Sequence, residues 1–352
     1  MSSRGEALED LIHSLSDNVR PPRDWRAVVA LASETLTIGS LADALLLEPG
    51  RADIPGAIRD LLVDVRERAR QRNARLKEQL LEMLPALNAA GIEPIIMRGM
   101  ARLLSDAGED ARLLSDIDLL VPANRLEECT GVLLELDYEL FKADKEKGVP
   151  TVFGRSQDVG MVDVHEALQP LYLQLGYDEL AMHCRTIGLG AGRALLPSPT
   201  CQLLFTIVHD QLHDGDYWRG LVDMRHLVDI HRGAAGGVDW TVLEAFFPKG
   251  SPRNALFVQL RTARSMMKVD VPAEYCGGAW SAAQELRRRV QVHAPFLRVP
   301  FTLLSLAVDP PPRSSTVARR TARIRTETAK ETARRRLEHY FRGANPGKLL
   351  LK

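Results

Sequence analysis

Arg112-Leu-Leu-Ser-Asp-Ile-Asp-Leu-Leu-Val121 is the stretch on which the reading of this chain turns. It is rich in Leu, Ile and Val and is stopped by Pro122, so it reads as a strand with little exposure. Alternation along a strand puts Asp116 and Asp118 side by side on one face and Ile117 and Leu119 on the other. Two carboxylates so close repel one another unless one holds a proton or a cation stands between them. A hard divalent ion such as Mg²⁺ is the usual cation for a site built of oxygens. Surface polarity explains such acids poorly inside an apolar run, because burial without a partner is costly.

Upstream, residues 92–97 read as a short apolar strand ending at Arg98-Gly99, after Gly91 has capped a long helix. Met100-Ala-Arg-Leu-Leu opens a further helix, and a loop over residues 106–110 leads into the acidic strand. Glycine at 99 lets the backbone approach a ligand, and amides opening a helix can hold phosphate oxygens. One glycine after one strand is more often a plain turn. Downstream come a helix over residues 124–136, a strand over 138–143, a charged loop over 144–148 and a strand from Thr151, together a plausible hairpin. Gly160-Met-Val-Asp-Val-His-Glu166 then alternates, with Met161, Asp163 and His165 on one face and Val162 and Val164 on the other. A third acid on a neighbouring strand would complete a two-metal site. Alone, Asp163 is an ordinary exposed strand residue, and His165 is as well explained by a buried hydrogen bond as by contact with metal or phosphate.

The flanks read as helical. Residues 5–90 show three-and-four apolar spacing, above all the segment over 54–88 with Ile58, Leu61, Leu62, Val65, Leu76, Leu80, Leu81 and Leu84. On the other side, His209 and His213 share a helix face with Asp210, Asp214 and Asp216 nearby. That spacing can bind zinc, but no H-E-x-x-H motif or cysteine completes the set, and a polar face lining the cleft is the simpler reading. A helix over residues 217–231 carries Asp223, His226 and Asp229, the first two at a spacing suited to a structural pair. Amphipathic helices over 239–247, 254–268 and 282–292 follow, divided by prolines and glycines, and Pro310 to Pro312 separate the body from the tail.

At 352 residues and 45% hydrophobic content, the chain can bury a large core divided over two or three domains. It has no run of about 18 uncharged apolar residues, and its charged first ten residues do not resemble a signal peptide. Cys129, Cys184, Cys201 and Cys276 lie far apart, which indicates neither a disulfide framework nor a zinc ribbon. A cytoplasmic protein without a membrane partner is expected. The formal net charge of zero conceals a tail over residues 313–352 with twelve Lys or Arg against three Glu, a +9 segment balanced by −9 elsewhere. Such a tail suits an acidic partner, nucleic acid or a solvated extension docked on the acidic body. Aromatic residues at 5% are too sparse for a base-stacking surface.

The ordered series of an apolar strand, Met97-Arg98-Gly99, Arg112, Ser115-Asp-Ile-Asp-Leu-Leu-Val121, a helix, a strand with Tyr138, and Val162-Asp-Val-His165 resembles the uncharacterised bacterial nucleotidyltransferase family of the DNA polymerase β superfamily. The likeness continues through Leu203-Leu-Phe-Thr-Ile-Val-His-Asp-Gln-Leu-His213 and Trp218 to Asp223, covering roughly residues 55–235. The resemblance implies an α+β fold with a small mixed sheet and helices on one side. It also implies that Asp116 and Asp118 bind Mg²⁺, with two ions in the full site, and that Asp163 assists one ion or activates the attacking hydroxyl. Nucleoside triphosphate would lie near Gly99 and Met100, with Arg98, Arg112, Ser115 and His165 as further nucleotide-binding candidates. Two positions depart from the pattern. Gly99-Met100 stands where the superfamily carries Gly-Ser, and Arg98 where the nearer family has Lys, so phosphate binding would rest on amides and on a charge of different geometry.

Together these readings give an N-terminal helical region (1–90), a nucleotidyltransferase core (91–197), a C-terminal helical region (198–312) and the basic tail (313–352). The expected activity is Mg²⁺-dependent transfer of a nucleoside monophosphate, from ATP by expectation, to a hydroxyl on a small molecule, an antibiotic-like compound, a protein or RNA. Two alternatives stand beside it: a catalytically inactive relative that binds nucleotide or a protein partner, and a nucleic-acid or toxin–antitoxin module acting through the tail. Binding lost steeply with salt and abolished by deleting 313–352 would favour the last.

Overall fold

The computed structural model describes residues 3–16, 21–47, 54–105, 111–142, 149–173 and 175–312. The expected loops over 106–110 and 144–148 and the basic tail lie outside the described residues. Helices α1 (Arg4–Leu15), α2 (Trp25–Glu34), α3 (Ile38–Leu46) and α4 (Gly56–Ala89) come first. Ser3 and Asp24 cap the first two by accepting backbone N–H bonds. Next are β1 (Ile95–Ile96), α5 (Arg98–Ser105), β2 (Asp116–Leu120), α6 (Leu126–Glu135), β3 (Glu139–Lys142), β4 (Thr151–Gly154), β5 (Met161–His165), α7 (Tyr177–Ala181), β6 (Cys184–Leu189) and β7 (Gly192–Pro197). Helical structure returns as α8 (Pro199–Ile207), a π turn over Val208–His213, α9 (Asp216–Arg219), α10 (Met224–Ala234), α11 (Trp240–Ala245), α12 (Ser251–Met267), α13 (Ala279–His293) and α14 (Arg298–Val308). Among the described residues no helix is long and apolar enough to cross a membrane.

The seven strands form one mixed sheet in the order β3-β4-β5-β2-β1-β7-β6. β2 runs parallel to β5 with Asp118 opposite Asp163 and Leu120 opposite His165, and antiparallel to β1. The expected α+β class is therefore observed. Apolar layers of helices cover both faces of the sheet, not the one side that the resemblance implied. Ile117, Leu119, Val162 and Val164 pack with Leu76, Leu80, Met83 and Leu84 of α4 and with Cys129 and Leu133 of α6. On the other face Ile95, Met97 and Leu120 join the core of the C-terminal helices, which holds Leu204, Trp218, Leu227 and Leu256 and also Leu11, Val28 and Leu41 from α1 to α3. The alternation that sends Ile117 and Leu119 into one layer thus aims Asp116 and Asp118 at the C-terminal helices.

Several elements differ from the sequence expectation. The strand expected over 92–97 is reduced to Ile95–Ile96: Pro94 has no N–H for a ladder, and Asn88 Nδ2 donates to the Ile92 carbonyl at 2.9 Å. The helix expected over 217–231 is two helices, because Gly220 turns left-handed at φ 65° and Asp223 caps α10 through the Arg225 amide. The hairpin β6–β7 and helix α14 are additions to the sequence reading.

Candidate active site

Asp118 lies at the centre of the site and is 3% exposed. Its Oδ1 accepts from Arg98 Nη1 at 2.7 Å and lies 3.0 Å from His165 Nε2. Burial pushes this carboxyl up, but Arg98, His165 and Arg112 together hold it below the ordinary range. Asp116, one turn of the pleat away, is raised by burial and by the charge on Asp118, against a hydrogen bond from Ser115. Asp163, opposite Asp118 on β5, is raised to about 6 by burial and by the charges of Asp118 and Asp116. Asp118, Asp163 and His165 offer ligand atoms within 4.8 Å of one another. The expected third acid and histidine are therefore brought to Asp118.

The turn from β1 into α5 presents the cations. Arg98 holds φ at 51°, a left-handed conformation that costs a side-chain-bearing residue energy, and this aims its guanidinium back at β2. At Gly99 a Cβ would lie 2.5 Å from Leu114 Cδ2 and 2.8 Å from Arg112 Nη1, so those two side-chain ends would have to shift. Met100 is 1% exposed and packs into the sheet core, away from the cleft. Arg112 reaches across to α10, where Nη2 donates to Asp229 Oδ2 at 2.9 Å, and Arg102 Nη1 donates to the Asp229 carbonyl at 3.0 Å. Burial pushes the Asp229 carboxyl up, yet Arg112 and Arg102 outweigh it and hold it low.

A cavity of about 220 Å³ opens between this edge of the sheet and the C-terminal helices. Arg98, Gly99, Arg112, Ser115, Asp116 and Asp118 line one side. Gln202 and Thr206 of α8, His209 of the π turn, and Arg225, His226 and Asp229 of α10 line the other. His226 lies 3.3 Å from Asp210 and 3.9 Å from Asp223; burial opposes its charge, but these acids raise its pKa. The expected Asp223–His226 pair is thus present but secondary to Asp210. Arg102, Arg225 and Asp229 had no assigned role from sequence. Arg102 carries a usable signal, standing one helical turn after Arg98 on the same face of α5, whereas the other two are brought in by the crossing of α10.

A mixed sheet bearing a central acid pair thus faces an arginine-lined cleft under a helical cover, the kind of site that the nucleotidyltransferase resemblance leads one to expect. The chain matches the family described as uncharacterised nucleotidyltransferase over residues 21–268, and it belongs to that family. Among solved structures it is similar to the solution structure of the antibiotic-resistance factor ANT(2'')-Ia, with 15% identity, 48% of this chain and 88% of that chain covered, and a TM-score of 0.36. It is also similar to the crystal structure of an antigenic nucleotidyltransferase-like protein from Paracoccidioides brasiliensis, with 18% identity, 65% and 92% covered, and a TM-score of 0.33. No curated protein matches the chain.

Proposed function

We propose that the protein is a Mg²⁺-dependent nucleotidyltransferase that moves a nucleoside monophosphate from a nucleoside triphosphate, ATP by preference, to a hydroxyl acceptor with release of pyrophosphate. The observation that carries this reading is that Asp116 and Asp118 line a cleft with Arg98, Arg112 and Arg225, with Asp163 in register beside Asp118 on the next strand. The donor set fits a hard divalent ion: carboxylate oxygens predominate, and burial with neighbouring negative charge holds Asp163 at about 6, as expected where a cation would relieve repulsion. When bound, the ions would neutralise charge on the α-phosphate and the leaving pyrophosphate.

In this reading Arg98 and Arg112 take the triphosphate, with the Gly99 and Met100 amides and the Ser115 hydroxyl completing its cradle. Asp163, ionised above pH 6, accepts the proton of the acceptor hydroxyl at a carboxylate oxygen. His165 holds Asp118 in place. The acceptor sits against α8 and α10, so core 91–197 supplies the chemistry and region 198–312 the acceptor wall, with 1–90 as support and the basic segment 313–352 for an acidic partner or nucleic acid.

One observation favours a second reading, a nucleotide-binding protein without transfer activity: Asp118 Oδ1 is already shared by Arg98 and His165. Calorimetric titration of ATP and then the other triphosphates, with and without Mg²⁺, into the wild type and an Asp116→Asn/Asp118→Asn variant separates the possibilities. Binding that needs Mg²⁺ and vanishes in the variant, followed by transfer of label to an acceptor, is expected. Mg²⁺-independent binding retained in the variant moves the weight to the second reading, and no binding at all refutes both.

A further inference from the structure

His209, His213 and Asp214 stand apart from the sheet acids. Their shared geometry comes from an irregularity that the sequence spacing alone does not show. The chain over Val208–His213 is a π turn, and the Asp214 N–H donates to the His209 carbonyl at 2.9 Å, closing an i→i+5 ring. In a regular α-helix the fifth residue on is rotated well away from the first. The wider turn returns Asp214 over His209 while keeping His213 beside it. The two imidazole rings are 5.5 Å apart between centroids, and the three residues offer ligand atoms within 4.8 Å of one another. Asp210 is turned the other way, to Gln211 and His226.

We propose that His209, His213 and Asp214 form a binding site for a divalent transition-metal ion of the zinc class, separate from the carboxylate site on β2 and β5. Two imidazoles and one carboxylate suit zinc or cobalt over Mg²⁺, which favours all-oxygen surroundings. Ligands 2.0–2.2 Å from a common ion stand about 3.4 Å apart in a tetrahedron, so closing the set asks for side-chain rotations of about an ångström. Three protein ligands leave a position for water or for a group of a bound molecule, and His209 lines the same cleft as Asp116 and Asp118. This site does not depend on the nucleotidyltransferase reading.

The test is titration of Co²⁺ into the chelator-stripped, full-length protein in excess Mg²⁺, followed by visible absorption and calorimetry. The expected result is one Co²⁺ per chain, with the d–d bands of a four- or five-coordinate ion, displaced by Zn²⁺. His213 is exposed, so His213→Ala leaves the core intact, and Asp214→Asn is nearly isosteric. Each is expected to weaken Co²⁺ more than about tenfold, with far-ultraviolet circular dichroism unchanged, while Asp118→Asn leaves the bands within twofold. Absence of the bands in the wild type, their persistence in either variant, or their loss in Asp118→Asn would overturn the assignment.

Discussion

Burial and the charges on Asp118 and Asp116 give Asp163 a carboxyl that titrates near 6, above the ordinary value of 3.8. A raised carboxyl keeps its proton in the folded chain at pH values where the unfolded chain has released it. The resulting stability is present at pH 4 and lost as pH climbs through 6. In the absence of metal, Asp163→Asn is therefore expected to flatten the fall in Tm between pH 5 and 7.5 and to raise Tm at pH 7.5; an unchanged difference between the two proteins across that range would refute it. At Arg98, the left-handed backbone and the ion pair can be separated: Arg98→Gly keeps φ at no cost, whereas Arg98→Ala does not. Urea denaturation should place the glycine variant above the alanine variant by about 1 kcal/mol, with both below wild type. Gly99→Ala, whose Cβ would press on Leu114 and Arg112, is expected to cost about 1–3 kcal/mol in the same assay. Strand alternation made the shared face of Asp116 and Asp118 legible in the sequence, whereas the neighbouring place of the Asp163 strand came only from the family resemblance. The engagement of Arg98 with Asp118 and of Arg112 with Asp229 was not legible, because both follow from where the backbone turns and where α10 crosses.

The long helix α4 sets the acidic strand in place. Asn73 donates through Nδ2 to the Arg112 carbonyl at 2.8 Å and accepts the Leu114 N–H at 3.3 Å. Arg72 donates to the carbonyls of Leu114 and Ser115, and Gln79 Nε2 to that of Gly160 at 3.1 Å. Removing the Asn73 amide leaves buried backbone groups without it, so Asn73→Ala is expected to destabilise by about 1–3 kcal/mol. Retained stability in chemical denaturation would show that water replaces the amide. The three-and-four spacing of α4 was plain in the sequence, although Leu61 proves 41% exposed while Leu62 is buried. The β6–β7 hairpin was not, because β6 is an edge strand whose exposed and half-buried residues give no clean alternation. The π turn has no compositional signal at all.

At the scale of the molecule, α1 to α3 share one apolar core with α8 to α13, although the sequence separates them by the sheet. A chain beginning at residue 54 would lose Leu11, Val28 and Leu41 from that shared core, and loss of cooperative thermal unfolding is expected. An unchanged single transition would show that the C-terminal helices hold their core alone. Helical periodicity in both flanks was readable, but their union was not, since amphipathic stripes do not name the surface that covers them.

Asp118 already has its counter-charge in Arg98. In the proposed reaction a divalent ion arriving alone would compete with that guanidinium for Asp118, and a triphosphate arriving alone would meet an arginine already paired to a carboxylate. Each ligand, in the proposed reaction, frees the group the other needs, so the two act as heterotropic effectors of one another. Whatever factor Mg²⁺ contributes to triphosphate affinity, triphosphate must return to Mg²⁺.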